Sequence, residues 1–193
     1  MTAAFYHLQK TLNHYQFLPS DAWQAYQACC SKKKLVKGQI LYSIGSLPTS
    51  FAFIHKGLMR AYVIDKSGSE FNKNFFAEGR FPGSMSTLLN SEASTLEVQA
   101  LEECEIIEIN YQKFRKALFI HQDLMKFHIN YLEKHWLLEK ESKEIGYLQY
   151  EAKTRYEKFL EDFKAILARL PQYHIASYLG ITPTQLSRIK KNI

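Results

Sequence analysis

The sequence predicts an α+β chain: an antiparallel β-roll of jelly-roll type, a long helix, and a small helical C-terminal unit. Three observations carry this. Between about Lys33 and Ile109 apolar residues alternate in short runs broken by turn residues, as in Thr95-Leu96-Glu97-Val98-Gln99-Ala100. From Tyr111 the apolar period becomes helical. The last twenty-odd residues then divide into two short amphipathic stretches around Gly180.

The elements follow in order. Residues 1–31 read as helical: Phe5, Leu8, Leu12 and Tyr15 share a face, and Ser20-Asp21 opens a second helix through Trp23, Tyr26 and Ala28. Leu35 to Tyr42 reads as strand, turn and strand about Gly38. Phe51-Ala52-Phe53-Ile54 is a strand broken at Gly57. Leu58–Ile64 and Glu70–Phe76 form a hairpin across Lys66-Ser67-Gly68. A glycine-bearing break, residues 78–83, precedes a short helix from Ser84 to Leu89. Two more strands, Thr95–Ala100 and Cys104–Ile109, complete a roll of short strands.

The long helix, about 120–143, carries two apolar stripes. One is Leu124, Phe127, Tyr131 and Leu138; the other is Met125, Ile129, Leu132 and Trp136. A helix buried on two faces needs two partners. The alternatives are a central helix wrapped within one chain and a helix shared with a second copy. We take the second, with Leu124, Phe127, Tyr131 and Leu138 as the dimer seam. The first domain then spans residues 1–145 and the second 146–193. Thr154 to Leu170 forms a further helix, ended by Pro171.

Residues 172–191 have the pattern of a helix-turn-helix. Ala176 supplies the small residue that two steeply crossing helices require, and Gly180 accepts positive φ at the turn. Ile175, Leu179, Ile181, Leu186 and Ile189 form the shared core. Thr182 is a good N-cap and Pro183 suits the first helical position. The exposed face keeps Thr184, Gln185, Ser187, Arg188 and Lys191. Together with Thr182 and Lys190, these are the side chains expected to reach base edges and phosphates, so the expected partner is double-stranded DNA.

The 193 residues carry 25 Lys+Arg against 19 Asp+Glu, a formal charge of +6, which suits a polyanionic partner. Cys29, Cys30 and Cys104 form no CxxC pair and no even-numbered framework, so free thiols in a reducing compartment are expected. No signal peptide or membrane-length apolar run is evident, and a cytoplasmic location is expected. His55 stands alone on a strand. His121, His128 and His135 recur every seven residues, two turns apart, too far for one metal and read as a solvated or dimer-facing stripe. No P-loop, HExxH or GxSxG occurs. The chain therefore reads as a non-enzyme without a metal centre; a metal-dependent barrel enzyme is the reading set aside.

A β-roll, a long helix and a C-terminal helix-turn-helix, in that order, resemble the Crp/Fnr family of transcription regulators. The pieces that carry the resemblance are Lys37-Gly38-Gln39-Ile40-Leu41, Phe53-Ile54-His55-Lys56-Gly57, Phe81-Pro82-Gly83, Cys104–Ile109 and the set Ala176, Gly180, Leu186, Ser187 and Arg188. The resemblance implies a cyclic-nucleotide-binding-like sensor domain and a homodimer reading a pseudo-palindromic site. It also implies RNA polymerase as a further partner. It places a phosphate-binding cassette at residues 81–100 and effector contacts at Arg80, Gly83, Ser84, Met85, Ser94 and Thr95.

The sequence departs from that pattern in three places. Ser84 stands where nucleotide-binding relatives carry Glu, and Glu92-Ala93-Ser94-Thr95 holds no Arg. Both charged ligands for a cyclic nucleotide are missing, which argues against cyclic AMP in its usual mode and for another effector or none. The recognition helix begins Pro183-Thr184 in place of Arg-Glu, leaving Arg188 for a guanine contact, Thr184 and Gln185 for adjacent bases, and Lys190 and Lys191 for phosphates. The sequence stops at Ile193, so no β-hairpin wing is expected. The alternative is a ligand-binding sensor that has lost DNA binding and acts through protein contacts.

Overall fold

Alternating apolar residues build two antiparallel sheets. In the computed structural model, which describes residues 2–191, the strands are β1 (Cys30–Leu35), β2 (Ile40–Tyr42), β3 (Ser50–Lys56), β4 (Met59–Ile64), β5 (Glu70–Phe76), β6 (Glu97–Ala100) and β7 (Cys104–Asn110). Their orders are β1-β7-β3 and β2-β6-β4-β5. Register Ile54↔Ile106 and Met59↔Ala100 brings Ala52, Ile54, Met59, Ala61, Val98 and Ile106 together between the sheets. The opposite face of the first sheet, Phe51, Phe53, Ile107 and Ile109, is buried against helices. A sheet covered on both faces explains the unbroken apolar run at residues 51–54. At Gly57 φ is +112°, and a Cβ there would lie 2.5 Å from Cys104 Sγ and 2.8 Å from the Glu103 carbonyl oxygen. Only glycine fits. Strand β1 starts at Cys30, so Cys30 is not helical as the apolar pattern implied; it pairs with Ile109.

Helices α1 (Ala3–Tyr15) and α2 (Ser20–Gln27) cover that sheet, together with α4 (Tyr111–Ile120) and the start of the long helix. A short helix, α3 (Met85–Asn90), follows the glycine-bearing break and is closed by Ser91 in the left-handed conformation. The long helix comprises α5 (Gln122–Leu132), a π-helical turn (Glu133–Leu138) and α6 (Glu139–Gln149). It runs past residue 143 because Gly146 does not break it; that glycine gives room to the Tyr150 ring, 3.3 Å from where a Cβ would stand.

The dimer seam read from the sequence needs correction. Leu124, Phe127 and Tyr131 are buried in the chain's own core, against Leu12, Tyr26, Phe81 and Phe114. They present no free face to a second copy. Leu138 does not continue their row: it is 62% exposed. The physical reason is the π turn, which inserts one residue and moves the inward position from 138 to Glu139. The apolar face left uncovered is the other stripe, Met125, Ile129 and Trp136.

Beyond Tyr150, which is extended, come α7 (Ala152–Asp162), a 3₁₀ segment (Lys164–Arg169), α8 (Gln172–Leu179) and α9 (Pro183–Lys191). The single helix expected from Thr154 to Leu170 is thus two pieces, divided where Phe163 leaves helical geometry. These elements close a core of Tyr156, Phe159, Phe163, Ile175, Tyr178 and Leu186 that also takes in Leu58 and Phe75 from the roll. The expected absence of a wing falls at and beyond residues 192–193, outside the described residues.

Candidate effector cavity and nucleic-acid interface

The helix-turn-helix has the local geometry its sequence requires. Gly180 adopts φ +66°, and the Ile181 N–H returns to the Ala176 carbonyl at 3.1 Å. Ala176 and Leu186 are buried at the crossing. Thr182 Oγ1 accepts from the Gln185 N–H at 3.1 Å, and Gln185 Oε1 accepts from the Thr182 N–H at 2.9 Å, a reciprocal capping box. Both side chains, expected to touch DNA, are therefore engaged in capping the start of α9. Thr184, Ser187, Arg188, Lys190 and Lys191 are exposed. Lys190 Nζ donates to Gln172 Oε1 at 3.0 Å, which ties the two helices together.

This unit is seated on the roll through a buried polar cluster that sequence reasoning missed. The Arg60 side chain, 4% exposed, donates from Nη1 to Glu70 at 2.6 Å and to Asn72 Oδ1 at 3.2 Å, and the same nitrogen lies 3.2 Å from His174 Nδ1. Its Nε donates to Gln99 Oε1 at 2.9 Å, and its guanidinium lies 3.7 Å over the Tyr62 ring. Asn72 Nδ2 donates to the His174 carbonyl at 3.0 Å, and the Asn72 N–H donates to Ser177 Oγ at 3.0 Å. Burial, with the Arg60 charge beside it, lowers His174 to about 4 against the opposing pull of Glu70. His174 is thus a neutral acceptor near pH 7. The cluster's members come from β4, β5, β6 and α8, and nothing local in the sequence told which met which.

Four of the six expected effector residues line one cavity of about 310 Å³ between the roll and the long helix: Arg80, Gly83, Ser84 and Met85. Ser94 and Thr95 do not line it. Ser94 is buried and donates to the Leu96 carbonyl at 2.8 Å, while Thr95 is exposed. Ser84 Oγ is likewise committed, to Thr87 Oγ1 at 2.8 Å. A Cβ on Gly83 would stand 2.8 Å from Phe51 Cβ, so this glycine serves packing. Arg80 donates to both oxygens of Glu139, at 3.4 and 3.0 Å, while its Nε is enclosed without a partner among the described residues.

Glu139 also accepts from His135 Nδ1 at 2.5 Å, and His135 Nε2 meets the Tyr15 hydroxyl at 2.7 Å. Burial alone would raise the Glu139 carboxyl; His135 and Arg80 hold it down at about 2. His135 is therefore no solvated residue: it sits within a chain of polar groups joining α1, the π turn and Arg80. His128 packs on the Phe114 ring, and burial, then Arg115, lowers it to about 4. His121 lies 3.5 Å from Asp21. Sequence reasoning also missed Lys73, Trp136, Lys140 and Lys143 at the cavity. Among the described residues no group of three or more His, Cys, Asp or Glu could hold a metal, and no helix is long and apolar enough to cross a membrane.

Residues 32–121 match the family model of the cyclic nucleotide-binding domain. Curated relatives include the cAMP-activated global transcriptional regulator CRP of Pasteurella multocida, 25% identical over 96 residues. That match covers 50% of this chain and 46% of the relative, so the chain spans less than half the length of the curated relatives it matches. CRP of Salmonella typhimurium matches to the same extent. Among solved structures, the c-di-GMP responsive global regulator CLP of Xanthomonas campestris superposes with a TM-score of 0.73 at 15% identity, over 90% of this chain and 91% of that one. FixK2 of Bradyrhizobium japonicum gives 0.71 at 18% identity, over 84% and 83%. At such identities the likeness concerns the fold.

Proposed function

We propose that this Crp/Fnr-type chain, with its cyclic nucleotide-binding domain at residues 32–121, is a transcription regulator that binds double-stranded DNA as a homodimer. The observation that carries the reading is an exposed, basic recognition helix, α9, mounted on a capped helix-turn-helix behind that domain. Arg188 reads a guanine, bidentate to O6 and N7. Thr184 and Ser187 face adjacent bases, and Lys190 and Lys191 meet phosphates. Two copies pair along the exposed stripe of Met125, Ile129 and Trp136, which aims two recognition helices at successive major grooves of a pseudo-palindromic site. The dimer works in the cytoplasm and addresses RNA polymerase. An effector enters the 310 Å³ cavity. The cassette serines are bonded internally, which supports an effector other than cyclic AMP in its usual mode.

Selection from a random duplex library, with purified protein and no added effector, tests this. An enriched palindrome with half-sites about 10 base pairs apart supports it. The capping box takes Thr182 and Gln185 away from base reading, which favours the alternative of a sensor acting through protein contacts. Absence of salt-dependent duplex binding would decide for that alternative.

A further inference from the structure

The cavity carries an imbalance of charge that its cassette does not explain. Four cations border it: Lys73 of β5, Arg80, and Lys140 and Lys143 of the long helix. One carboxylate does, Glu139, and Arg80 and His135 already hold it. Among the described residues Lys143 Nζ donates to the neutral Asn74 Oδ1, at 3.3 Å, with the rings of Phe163 and Tyr178 beyond and Asp162 across the adjoining cleft. Lys140 pairs with Glu144 at 3.3 Å, an exposed pair of little strength. Burial lowers the ammonium groups of Lys73 and Lys143; Lys140 adds to it at Lys73, and Arg80 adds to it at Lys143 while Glu139 and Asp162 oppose. Like charges held together beside an apolar wall of Phe81, Leu96 and Trp136 are relieved by a bound anion.

We propose that this cavity binds a nucleoside 5′-phosphate carrying two or more negative charges, held by Lys73, Lys140 and Lys143 with its base against Trp136. A ligand with two or more negative charges matches these cations better than one with a single phosphodiester charge. A volume of about 310 Å³ lies at the small end of ligand cavities, which fits a mononucleotide. Recognition of the anion has thus moved from the cassette to β5 and the long helix. Lys73 is the extra residue of a β-bulge, left out between the pairs Ala61↔Asn74 and Tyr62↔Asn72. It borders the cavity while its neighbour Asn72 bonds α8. Occupancy of the cavity reaches the DNA-reading unit across one peptide. This regulatory consequence rests on the function proposed above; the binding itself does not.

Titration calorimetry of the full chain with ADP, 5′-AMP, cyclic AMP and inorganic pyrophosphate tests the proposal. ADP or AMP is expected to bind at least about tenfold more tightly than cyclic AMP, a difference of about 1.4 kcal/mol. Binding should quench Trp136 fluorescence. Pyrophosphate alone should compete without quenching. Lys73→Gln with Lys140→Gln should weaken ADP about tenfold or more and leave the melting temperature of the free protein unchanged. Equal or tighter binding of cyclic AMP, no binding of either nucleotide, or indifference to the lysine substitutions would overturn it. Duplex binding measured on the same preparation keeps the two readings apart. ADP binding without duplex binding removes the regulator and leaves the site, and the converse removes the site alone.

Discussion

Replacing Arg60 by methionine removes the one group that joins four polar partners beneath the helix-turn-helix. Met keeps most of the stem's volume, so the loss is electrostatic. Breaking a buried ion pair by removing one partner costs about 3–5 kcal/mol. Two features of this site lower that figure. Glu70 is 43% exposed and regains water. Asn72 and Gln99 keep other bonds, to the His174 carbonyl and to the Gly38 carbonyl. We therefore expect a loss of about 3 kcal/mol, a fall in Tm of roughly 6–12 °C for a chain of this size. Urea unfolding followed by tryptophan fluorescence measures the first. Hydrogen exchange gives the second readout: amides of α8 should lose protection while those of β3 and β7 keep theirs. A loss below about 1 kcal/mol, or α8 protection unchanged, would refute the idea that this cluster seats the helix-turn-helix.

Other expectations follow from the same structure. Ile129→Glu should give a monomer in sedimentation equilibrium with the fold intact, whereas Leu124→Ala should cost about 3–5 kcal/mol of stability because Leu124 is fully buried in its own chain. Arg188→Ala should cost about 1–3 kcal/mol at one symmetric base position, seen as relaxed preference there in a repeated duplex selection. Gly57→Ala should cost about 2–4 kcal/mol in urea unfolding, from positive φ together with the clash at Cys104. Stability should fall on acidification. His174 and His128 each sit at about 4 when folded against 6.5 unfolded. Their contribution is fully present above pH 6.5 and is lost as pH falls toward 4, because the unfolded chain takes the proton first. Between pH 7 and 5 each accounts for about 2 kcal/mol. Urea midpoints at the two pH values, repeated with His128→Gln, measure it.

Much of this fold is written in local pattern. The period-two runs of β6 and β7, the Lys66-Ser67-Gly68 hairpin and the Gly180 turn each rest on residues within a few positions of one another. The errors arose where a distant partner decides. Leu124, Phe127 and Tyr131 form a good seam, but a seam does not say whether Phe81 of the same chain or a second copy fills it. The π turn leaves no mark in the sequence that would warn that Leu138 turns outward. At the cavity the family resemblance pointed to Arg80, Gly83, Ser84 and Met85. Lys73 comes from β5, and Trp136 and Lys143 from the long helix far later in the chain; they meet there only when the roll closes against that helix. Ser94 and Thr95 were named from the resemblance, and the bonds within their own loop turn them to other uses.

The pairing of Cys30 with Ile109 has a consequence in time. Strand β7 is the centre of its sheet, bonded on one side to β1 and on the other to β3. Neither neighbour can be held until the chain has been made through residue 110. Loops of that length close slowly, and folding dominated by such distant pairs is slow in turn. The helix-turn-helix is synthesised last and completes its own core with Leu58 and Phe75 of the roll. The helix-turn-helix therefore matures on a finished roll, and a roll that misfolds leaves it without a floor.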